Sequence, residues 1–317
     1  MTQLWIEKYR PLSFDDIIGQ EDNINILSSL IQNNSLPHLL LYGKPGTGKT
    51  STIMSLVNKL YGDSKTFMLL TLDASDDRGI NSVREEIKGF AEKKTLNDKG
   101  IKLIILDEAD SMTFDAQFAL RRIIEKYSDN TRFCLICNYN NKIIPALRVR
   151  CLNLKFNSIN ENSMKSKLNF IIKEEKVKIK PDALNVIINY SNGDFRKVIN
   201  FLQNVSLQNK IITKSICMEN IGLPSNTVLN KFFNHLIDNT KDYNYLLNYI
   251  SKNLENKGFS LNYILKELNL FLQNNIDKIN EHNLTNYFIN LSNLEAFLLK
   301  STFEDIYYNG LVSIFKS

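Results

Sequence analysis

The chain has 317 residues, of which 43% are hydrophobic and 23% are charged, and its formal net charge is +5 at pH 7. This length allows two or three domains with cores of their own, and the modest charge permits a polyanionic partner without requiring one. The polar N-terminus, the lack of any run near about 18 apolar residues and the spacing of the four cysteines argue against a signal peptide, a membrane span and a disulfide framework. We therefore expect a protein of a reducing compartment, the cytoplasm or the nucleus.

Strand-like and helix-like segments alternate from residue 38 to about residue 156. Short apolar runs predict strands at 38–42, 67–72, 102–106, 132–137 and 152–156. This alternation is typical of an α/β fold with a doubly wound parallel sheet, which binds its ligand at the C-terminal edge of the strands. Within the fourth strand, Cys134 and Cys137 form a CxxC whose members should face opposite sides, which favours core packing over redox or zinc chemistry.

Helical patterns replace the strands after Phe156. Apolar residues recur at helical spacing over 161–174, 181–190 and 194–206, and again from about 227 to 317. We predict a nucleotide-binding domain at 1–157, a small helical domain at 158–224 and a C-terminal helical domain at 225–317. The expected core positions of the last domain are Phe232, Leu236, Leu246, Tyr249, Ile250, Leu261, Leu265 and Leu268.

A complete phosphate-binding loop follows the first predicted strand. It reads Gly43-Lys44-Pro45-Gly46-Thr47-Gly48-Lys49-Thr50, and a predicted helix continues from Ser51. The glycines let backbone N–H groups face the phosphates of a nucleoside triphosphate, while Lys49 would reach the β and γ phosphates and Thr50 would contact Mg²⁺. The alternative is a glycine-rich turn that binds nothing, which the position between a strand and a helix disfavours.

An acidic segment follows the third predicted strand. Asp107 comes first after the apolar run and is placed to hold Mg²⁺ through its water shell, since this cation prefers oxygen ligands. Glu108 is placed to act as the general base for the attacking water. An acidic surface turn is the alternative, and the intact phosphate-binding loop makes it improbable.

Two further polar residues fit a role in sensing the nucleotide. Asn138 directly follows the strand at 132–137, at the same sheet edge as the loop. Arg196 opens a helix of the second domain and could reach the phosphates. Either residue by itself is weak evidence, because polar strand ends and exposed helical arginines are common.

Several segments together resemble the small subunits of replication factor C, the sliding-clamp loader of the AAA+ ATPases. They are Glu7-Lys8-Tyr9-Arg10-Pro11, the loop at 43–50, and the segments at 74–80, 106–110, 119–122, 150–151 and 193–196. Among the small subunits, residues 133–139 and 142–147 are most similar to the type that is numbered subunit 3 in one of the two numbering schemes and subunit 5 in the other. The resemblance covers essentially the full chain and implies an AAA+ domain, a helical lid and an all-α C-terminal collar that mediates oligomerisation.

This resemblance implies a function within a larger assembly. The family forms a nuclear hetero-pentamer that hydrolyses ATP, opens the PCNA clamp and closes it on primer-template DNA without sequence preference. One alternative is a scaffold subunit that binds ATP but hydrolyses little of it. A helicase or remodeller of the same superfamily is disfavoured by the helical C-terminal domain.

The resemblance also implies roles for individual residues. Asn138 corresponds to the first sensor, Arg196 to the second, and Arg150 to an arginine finger that acts in trans on the neighbouring subunit's ATP. The N-terminal segment encloses the adenine and reaches the phosphates through Tyr9, Arg10 and Ile18. Two departures are Lys44, where the family usually has proline, and Val149, where it has serine beside the finger.

The predicted helix that opens near Ile80 places Arg84 and Lys88 one turn apart. The resemblance puts this helix in the central channel, where both residues would contact DNA phosphates, with Arg78 in the preceding loop as a possible third contact. The alternative is an ordinary amphipathic helix whose basic residues pair with Glu85 or Glu92.

The clamp-facing surface is expected after the acidic segment. Met112, Phe114 and Phe118 would suit an apolar pocket on the clamp if they are exposed. Core packing of at least one of the two aromatics is an equally open alternative.

Overall fold

The computed structural model describes residues 3–75, 80–93, 100–238, 240–276, 281–301 and 305–316. The chain divides into two compact units, one formed by Met1–Lys178 with Ile187–Lys210 and the other by Ile179–Val186 with Ile211–Ser317. The division into domains at 1–157, 158–224 and 225–317 stays a prediction.

A parallel five-stranded sheet forms the centre of the first unit. Its strands are β1 (Leu39–Gly43), β2 (Leu69–Asp73), β3 (Lys102–Asp107), β4 (Thr131–Cys137) and β5 (Leu152–Phe156). Their order is β2-β3-β4-β1-β5, and every neighbouring pair is parallel. The predicted parallel sheet is confirmed. The second strand begins later than predicted, because the first residues of its apolar run belong to a short helix that ends at Met68.

Both faces of the sheet are buried, as the unbroken apolar strands require. Leu40 and Cys137 pack in the hydrophobic cluster on one face, whereas Leu41 and Cys134 pack in the cluster on the other. The two cysteines thus face opposite sides as predicted, and both are free thiols in the core. Burial raises the pKa of Cys137 to about 12.

Helices cover the sheet and continue beyond it in the first unit. They are α1 (Trp5–Lys8), α2 (Glu21–Gln32), α3 (Lys49–Tyr61), α4 (Lys65–Met68), α5 (Ile80–Glu92), α6 (Phe114–Tyr127), α7 (Pro145–Arg148), α8 (Glu161–Glu174) and α10 (Phe195–Gln208), while α9 (Pro181–Ser191) is divided between the units. Side-chain oxygens of Thr113, Asn160 and Asp194 accept backbone N–H groups at the starts of α6, α8 and α10. These caps satisfy donors that a helix N-terminus leaves unpaired, which is why the helices begin there.

The second unit is helical. It contains α11 (Lys214–Ile221), α12 (Asn226–Ile237), α13 (Tyr243–Asn253), α14 (Leu261–Asn274), α15 (Glu281–Leu298) and α16 (Asp305–Lys316). Seven of the eight predicted core positions are buried in one apolar cluster, and Tyr249 packs against it partly exposed. In the described part of the chain, no helix combines the length and apolar character needed to cross a membrane.

Candidate nucleotide-binding site

The phosphate-binding loop connects β1 to α3 at the C-terminal edge of the sheet. Gly46 and Gly48 have φ angles of +70° and +98°, in the region that side chains with a Cβ rarely adopt. Helix α3 starts immediately after Gly48. The free N–H groups of its first turn therefore lie beside the loop, which is the arrangement that binds phosphate groups.

Lys49 is buried, and three oxygens hold its ammonium group. Its Nζ donates to the carbonyl oxygens of Gly43 and Lys44 at 2.7 and 2.9 Å, and to Oδ1 of Asn138 at 3.0 Å. Asn138 lies within reach because β1 and β4 are neighbours in register, with Tyr42 opposite Cys137. Burial lowers the pKa of Lys49, and the nearby Asp107 carboxylate opposes this shift. The structure thus brings together two residues that are 89 positions apart in the sequence.

The side-chain oxygens of Thr50 and Asp107 lie next to each other at the same edge of the sheet. The Thr50 hydroxyl donates to Oδ2 of Asp107 at 3.0 Å. The next residue, Glu108, is exposed, has a φ of +52°, and donates its N–H to Oδ1 of Asp107 at 2.9 Å. A hydroxyl and a carboxylate are donors that Mg²⁺ accepts, so these residues fit this cation. No group of three or more His, Cys, Asp or Glu that could hold a metal occurs among the described residues.

A cavity of about 290 Å³ adjoins the loop. It is lined by residues from positions 6–18, by residues of the loop and the start of α3, by residues of α10, and by Ile159 and Lys167. Among the predicted site residues, those on its wall are Tyr9, Arg10, Ile18, Gly46, Thr47, Gly48, Ser51 and Arg196. The structure therefore gathers the expected adenine-enclosing residues, the loop and the expected second sensor around one space.

Asp194 links the loop to the helix that carries Arg196. Its carboxylate accepts the backbone N–H groups of Arg196 and Lys197 at 3.0 and 3.3 Å, and the N–H of Phe195 donates to the carbonyl of Gly46 at 3.3 Å. A Cβ on Gly46 would lie 1.8 Å from Oδ1 of Asp194. Gly46 is therefore required by this close approach as well as by its φ angle. The sequence signals the helix cap but not its contact with the loop.

Sequence reasoning missed Glu175, which follows α8. It accepts hydrogen bonds from Tyr9 Oη and Lys8 Nζ at 2.6 and 2.7 Å. The surrounding segment mixes both charge signs, as a solvated helix end does, so the sequence carries no signal for this contact. Trp5, in α1, is buried, with 9% of its surface exposed.

Arg150 does not line this cavity. Its Nη1 donates to the carbonyl of Ala146 at 2.7 Å, and its Nη2 pairs with Glu125, which also accepts Nε of Arg121 at 3.0 Å. The Arg150 side chain is 33% exposed, and Val149 beside it is 78% exposed. The expected trans-acting arginine is thus oriented by its own chain at the surface.

The expected DNA-contacting residues are only partly described. Lys88 lies on α5 and pairs with Glu85 at 3.1 Å, which is one of the two pairings that an ordinary amphipathic helix would make. Both side chains of this pair are largely exposed. Arg78 and the side chain of Arg84 lie outside the described residues.

The expected clamp-facing residues differ in exposure. Phe114 and Phe118 are 68% and 51% exposed, so neither aromatic is in the core. Met112 is the one of the three that packs, partly buried, against a core cluster.

A phosphate-binding loop at the C-terminal edge of this parallel sheet, followed in sequence by helices that reach back to the loop, defines an AAA+ ATPase. Residues 39–158 match the family described as ATPase family associated with various cellular activities (AAA), and residues 161–228 match the RFC1-like AAA+ ATPase lid domain. The predicted fold class is thereby confirmed, and a protein with this domain binds a nucleotide.

Similar proteins show which group of AAA+ ATPases this chain resembles. Replication factor C subunit 3 of Schizosaccharomyces pombe is 43% identical over 237 residues, which are 75% of this chain and 69% of that protein. Replication factor C subunit 5 of Homo sapiens is 48% identical over 222 residues, which are 69% of this chain and 65% of that protein. Probable replication factor C subunit 5 of Dictyostelium discoideum is 53% identical over 205 residues, which are 64% of this chain and 59% of that protein.

The chain belongs to the replication factor C subunit family, and its predicted similarity to the subunit 3/5 type is confirmed. The chain spans less than two thirds of the length of the human and Dictyostelium relatives. A solved structure of the Thermotoga maritima RuvB Holliday junction branch migration motor matches 77% of this chain and 85% of that chain, with a TM-score of 0.54 and 19% identity. At this identity the likeness shows the shared fold alone.

Proposed function

We propose that this chain is an ATP-hydrolysing subunit of the replication factor C clamp loader. It acts in the nucleus within a hetero-pentamer, which opens the PCNA sliding clamp and loads it onto primer-template DNA in replication and repair. The observation that carries the proposal is the convergence of Lys49, Asn138, Thr50 and Asp107 at one sheet edge, next to a cavity that is lined by the loop and by Arg196.

The loop and its neighbours would bind the triphosphate. N–H groups of the loop and of the α3 N-terminus face the phosphate oxygens, and the Lys49 ammonium exchanges its carbonyl partners for the β and γ phosphates. Thr50 and Asp107 would hold Mg²⁺, which when bound would supply positive charge beside the phosphates. Asn138 already accepts a hydrogen bond from Lys49, so its amide is positioned to sense the γ-phosphate.

Hydrolysis requires groups on both sides of the triphosphate. Glu108 is exposed next to Asp107, where its carboxylate can accept a proton from the attacking water. Arg196 approaches from α10 and links the state of the nucleotide to the position of that helix. Arg150 supplies positive charge to the neighbouring subunit's ATP, where charge develops in the transition state.

Substitutions in this subunit alone test the catalytic part of the proposal. We expect Lys49→Ala to abolish ATP binding at this site, and Glu108→Gln to preserve binding while removing this site's share of the turnover that DNA and the clamp stimulate in the reconstituted complex. The exposed Glu219, on α11, provides the matched control Glu219→Gln, which should leave turnover unchanged. Unchanged turnover in both site variants would refute the catalytic role. If Lys49→Ala then impaired assembly, a scaffold role would replace it.

The proposed function includes DNA contact through α5. An exposed pair such as Lys88 with Glu85 contributes at most about 1 kcal/mol, so a phosphate can displace Glu85. Replacing Arg84 and Lys88 together by alanine should reduce the slope of log affinity against log salt by about 2. Lys231→Ala, at an exposed position on α12, serves as the control. An unchanged slope in the double variant would contradict the assignment of α5 to the DNA channel.

Phe114 and Phe118 are proposed to contact the clamp. They lie one turn apart on α6 with their rings exposed, which suits an apolar pocket on a partner. Alanine at both positions should weaken binding of the complex to PCNA without changing ATP affinity. Full retention of clamp binding would place the contact elsewhere.

A further inference from the structure

The first segment of the chain, residues 3–11, forms one wall of the cavity, to which it contributes Ile6, Glu7, Tyr9, Arg10 and Pro11. Its start is fastened to α10, because the N–H of Trp5 donates to Oε1 of Gln203 at 2.9 Å and the Gln203 amide reaches the carbonyl of Gln3 at 3.4 Å. The start of this wall is therefore held by one side chain, Gln203, which lies 198 to 200 residues away in the sequence.

Glu175 holds the other end of this segment. One carboxylate oxygen, Oε1, accepts both the Tyr9 hydroxyl at 2.6 Å and the Lys8 ammonium at 2.7 Å. The Glu175 side chain is only 18% exposed. The Tyr9 ring also meets Phe170 of α8 edge-on, with ring centroids 6.3 Å apart and an interplanar angle of 89°. Two contacts from α8 and its end thus determine the orientation of the Tyr9 ring.

The charge of Glu175 strengthens this arrangement. Hydrogen bonds from Lys8 and then from Tyr9 lower the pKa of Glu175, so the carboxylate stays ionised at neutral pH. A hydrogen bond to an ionised acceptor is about twice as strong as one between neutral groups. Glu175 does not itself line the cavity, whereas Tyr9 does.

We infer that Glu175 is a positioning residue for the nucleotide: through Tyr9 it fixes the cavity wall that meets the nucleoside part of ATP. This inference rests on the proposed function, since it takes the cavity to be the ATP site. The phosphate-binding loop has its own contacts and does not need Glu175. Loss of Glu175 should therefore weaken recognition of the nucleoside and leave recognition of the phosphates intact.

Binding of ATP and of inorganic tripolyphosphate to the purified full chain separates these two effects. We expect Glu175→Gln to weaken ATP binding about fivefold, the equivalent of about 1 kcal/mol for a partly exposed charge-assisted hydrogen bond, with tripolyphosphate affinity unchanged. Tyr9→Phe should have a similar effect, and the double variant should be no weaker than either single variant. Glu174→Gln, which removes the same charge one residue earlier at an exposed position, should bind ATP normally.

Three results would overturn the inference: unchanged ATP affinity in Glu175→Gln, equal losses for ATP and tripolyphosphate, or additive effects of the two substitutions. If Glu175→Gln does not fold, Tyr9→Phe decides alone, because it removes the same hydrogen bond while keeping the ring. Lys49→Ala distinguishes a failure of the inference from a failure of the proposed function. If Lys49→Ala binds neither ATP nor tripolyphosphate while Glu175→Gln binds ATP normally, only the inference is refuted. If Lys49→Ala binds ATP normally, the proposed function is refuted.

Discussion

Replacing Gly46 by alanine tests whether the phosphate-binding loop and α10 are packed as closely as the structure shows. The new Cβ would lie 1.8 Å from Oδ1, 2.5 Å from Cγ and 3.1 Å from Cα of Asp194. The carboxylate can rotate away, but the Cα belongs to the backbone and cannot. Asp194 would then lose its hydrogen bonds to the N–H groups of Arg196 and Lys197, which cap α10.

Gly46→Ala should lower the free energy of unfolding for two reasons. An alanine at a φ of +70° costs about 1–2 kcal/mol in backbone strain, and losing the cap adds about 1 kcal/mol, before any cost of the remaining backbone contact. Gly48→Ala is the matched control, because its φ is +98° and its Cβ would meet only Cγ2 of Ile17, at 4.0 Å. The control should show strain alone. Gly46→Ala should therefore be less stable than Gly48→Ala by about 1–2 kcal/mol.

Thermal unfolding of the full chain without nucleotide measures this difference. In a unit of this size it corresponds to a melting temperature about 5 °C lower for Gly46→Ala than for Gly48→Ala. Asp194→Gly removes the collisions with Oδ1 and Cγ together with the cap, so Gly46→Ala made in that background should cost only its strain and the contact with the remaining Cα. Equal melting temperatures for the two glycine variants, or the same cost of Gly46→Ala with and without Asp194, would refute the reasoning.

Two further predictions concern side chains outside the cavity. His38 accepts the N–H of Phe133 on Nδ1 at 3.1 Å, and burial, followed by the Arg132 charge, lowers its pKa from 6.5 to about 4. In the unfolded chain His38 binds a proton near pH 6.5, whereas in the folded chain it stays neutral until about pH 4. Acidification to about pH 4.5 should therefore lower the free energy of unfolding of the wild type by about 2 kcal/mol more than that of His38→Gln. Urea unfolding measures this difference. Glu125→Gln removes the ion pair that orients Arg150, and under the proposed role of Arg150 it should lower turnover at the neighbouring subunit's site severalfold in the reconstituted complex.

Each of these predictions has a discriminating result. The same loss of stability with acid in wild type and His38→Gln would show that another group takes up the proton. For the arginine, Asp129→Asn at a nearby exposed position should leave turnover unchanged. Normal turnover in Glu125→Gln would mean that Arg150 finds its orientation from the neighbouring subunit instead.

The phosphate-binding loop, the acidic segment and most strand limits could be predicted because each depends on residues close together in the chain. A glycine pattern between a strand and a helix is local, and so is an apolar run that ends in Asp107. The same reasoning misplaced the start of β2, because a short apolar run does not distinguish the turn of helix at Lys65–Met68 from the strand that follows. The sequence also could not predict whether Phe114 and Phe118 are exposed, because their exposure depends on which other parts of the chain cover α6.

Residues that are close together in the chain were enough to predict a phosphate-binding loop in an AAA+ fold, and several such segments identified the replication factor C family. The distant side chains that complete and support the site are visible only in the folded chain. Asn138 meets Lys49 because β4 pairs with β1, Asp194 meets Gly46 because α10 returns to the loop, and Glu175 meets Tyr9 across a separation of 166 residues. Such contacts depend on the path of the whole chain, and no pattern within a short window encodes them.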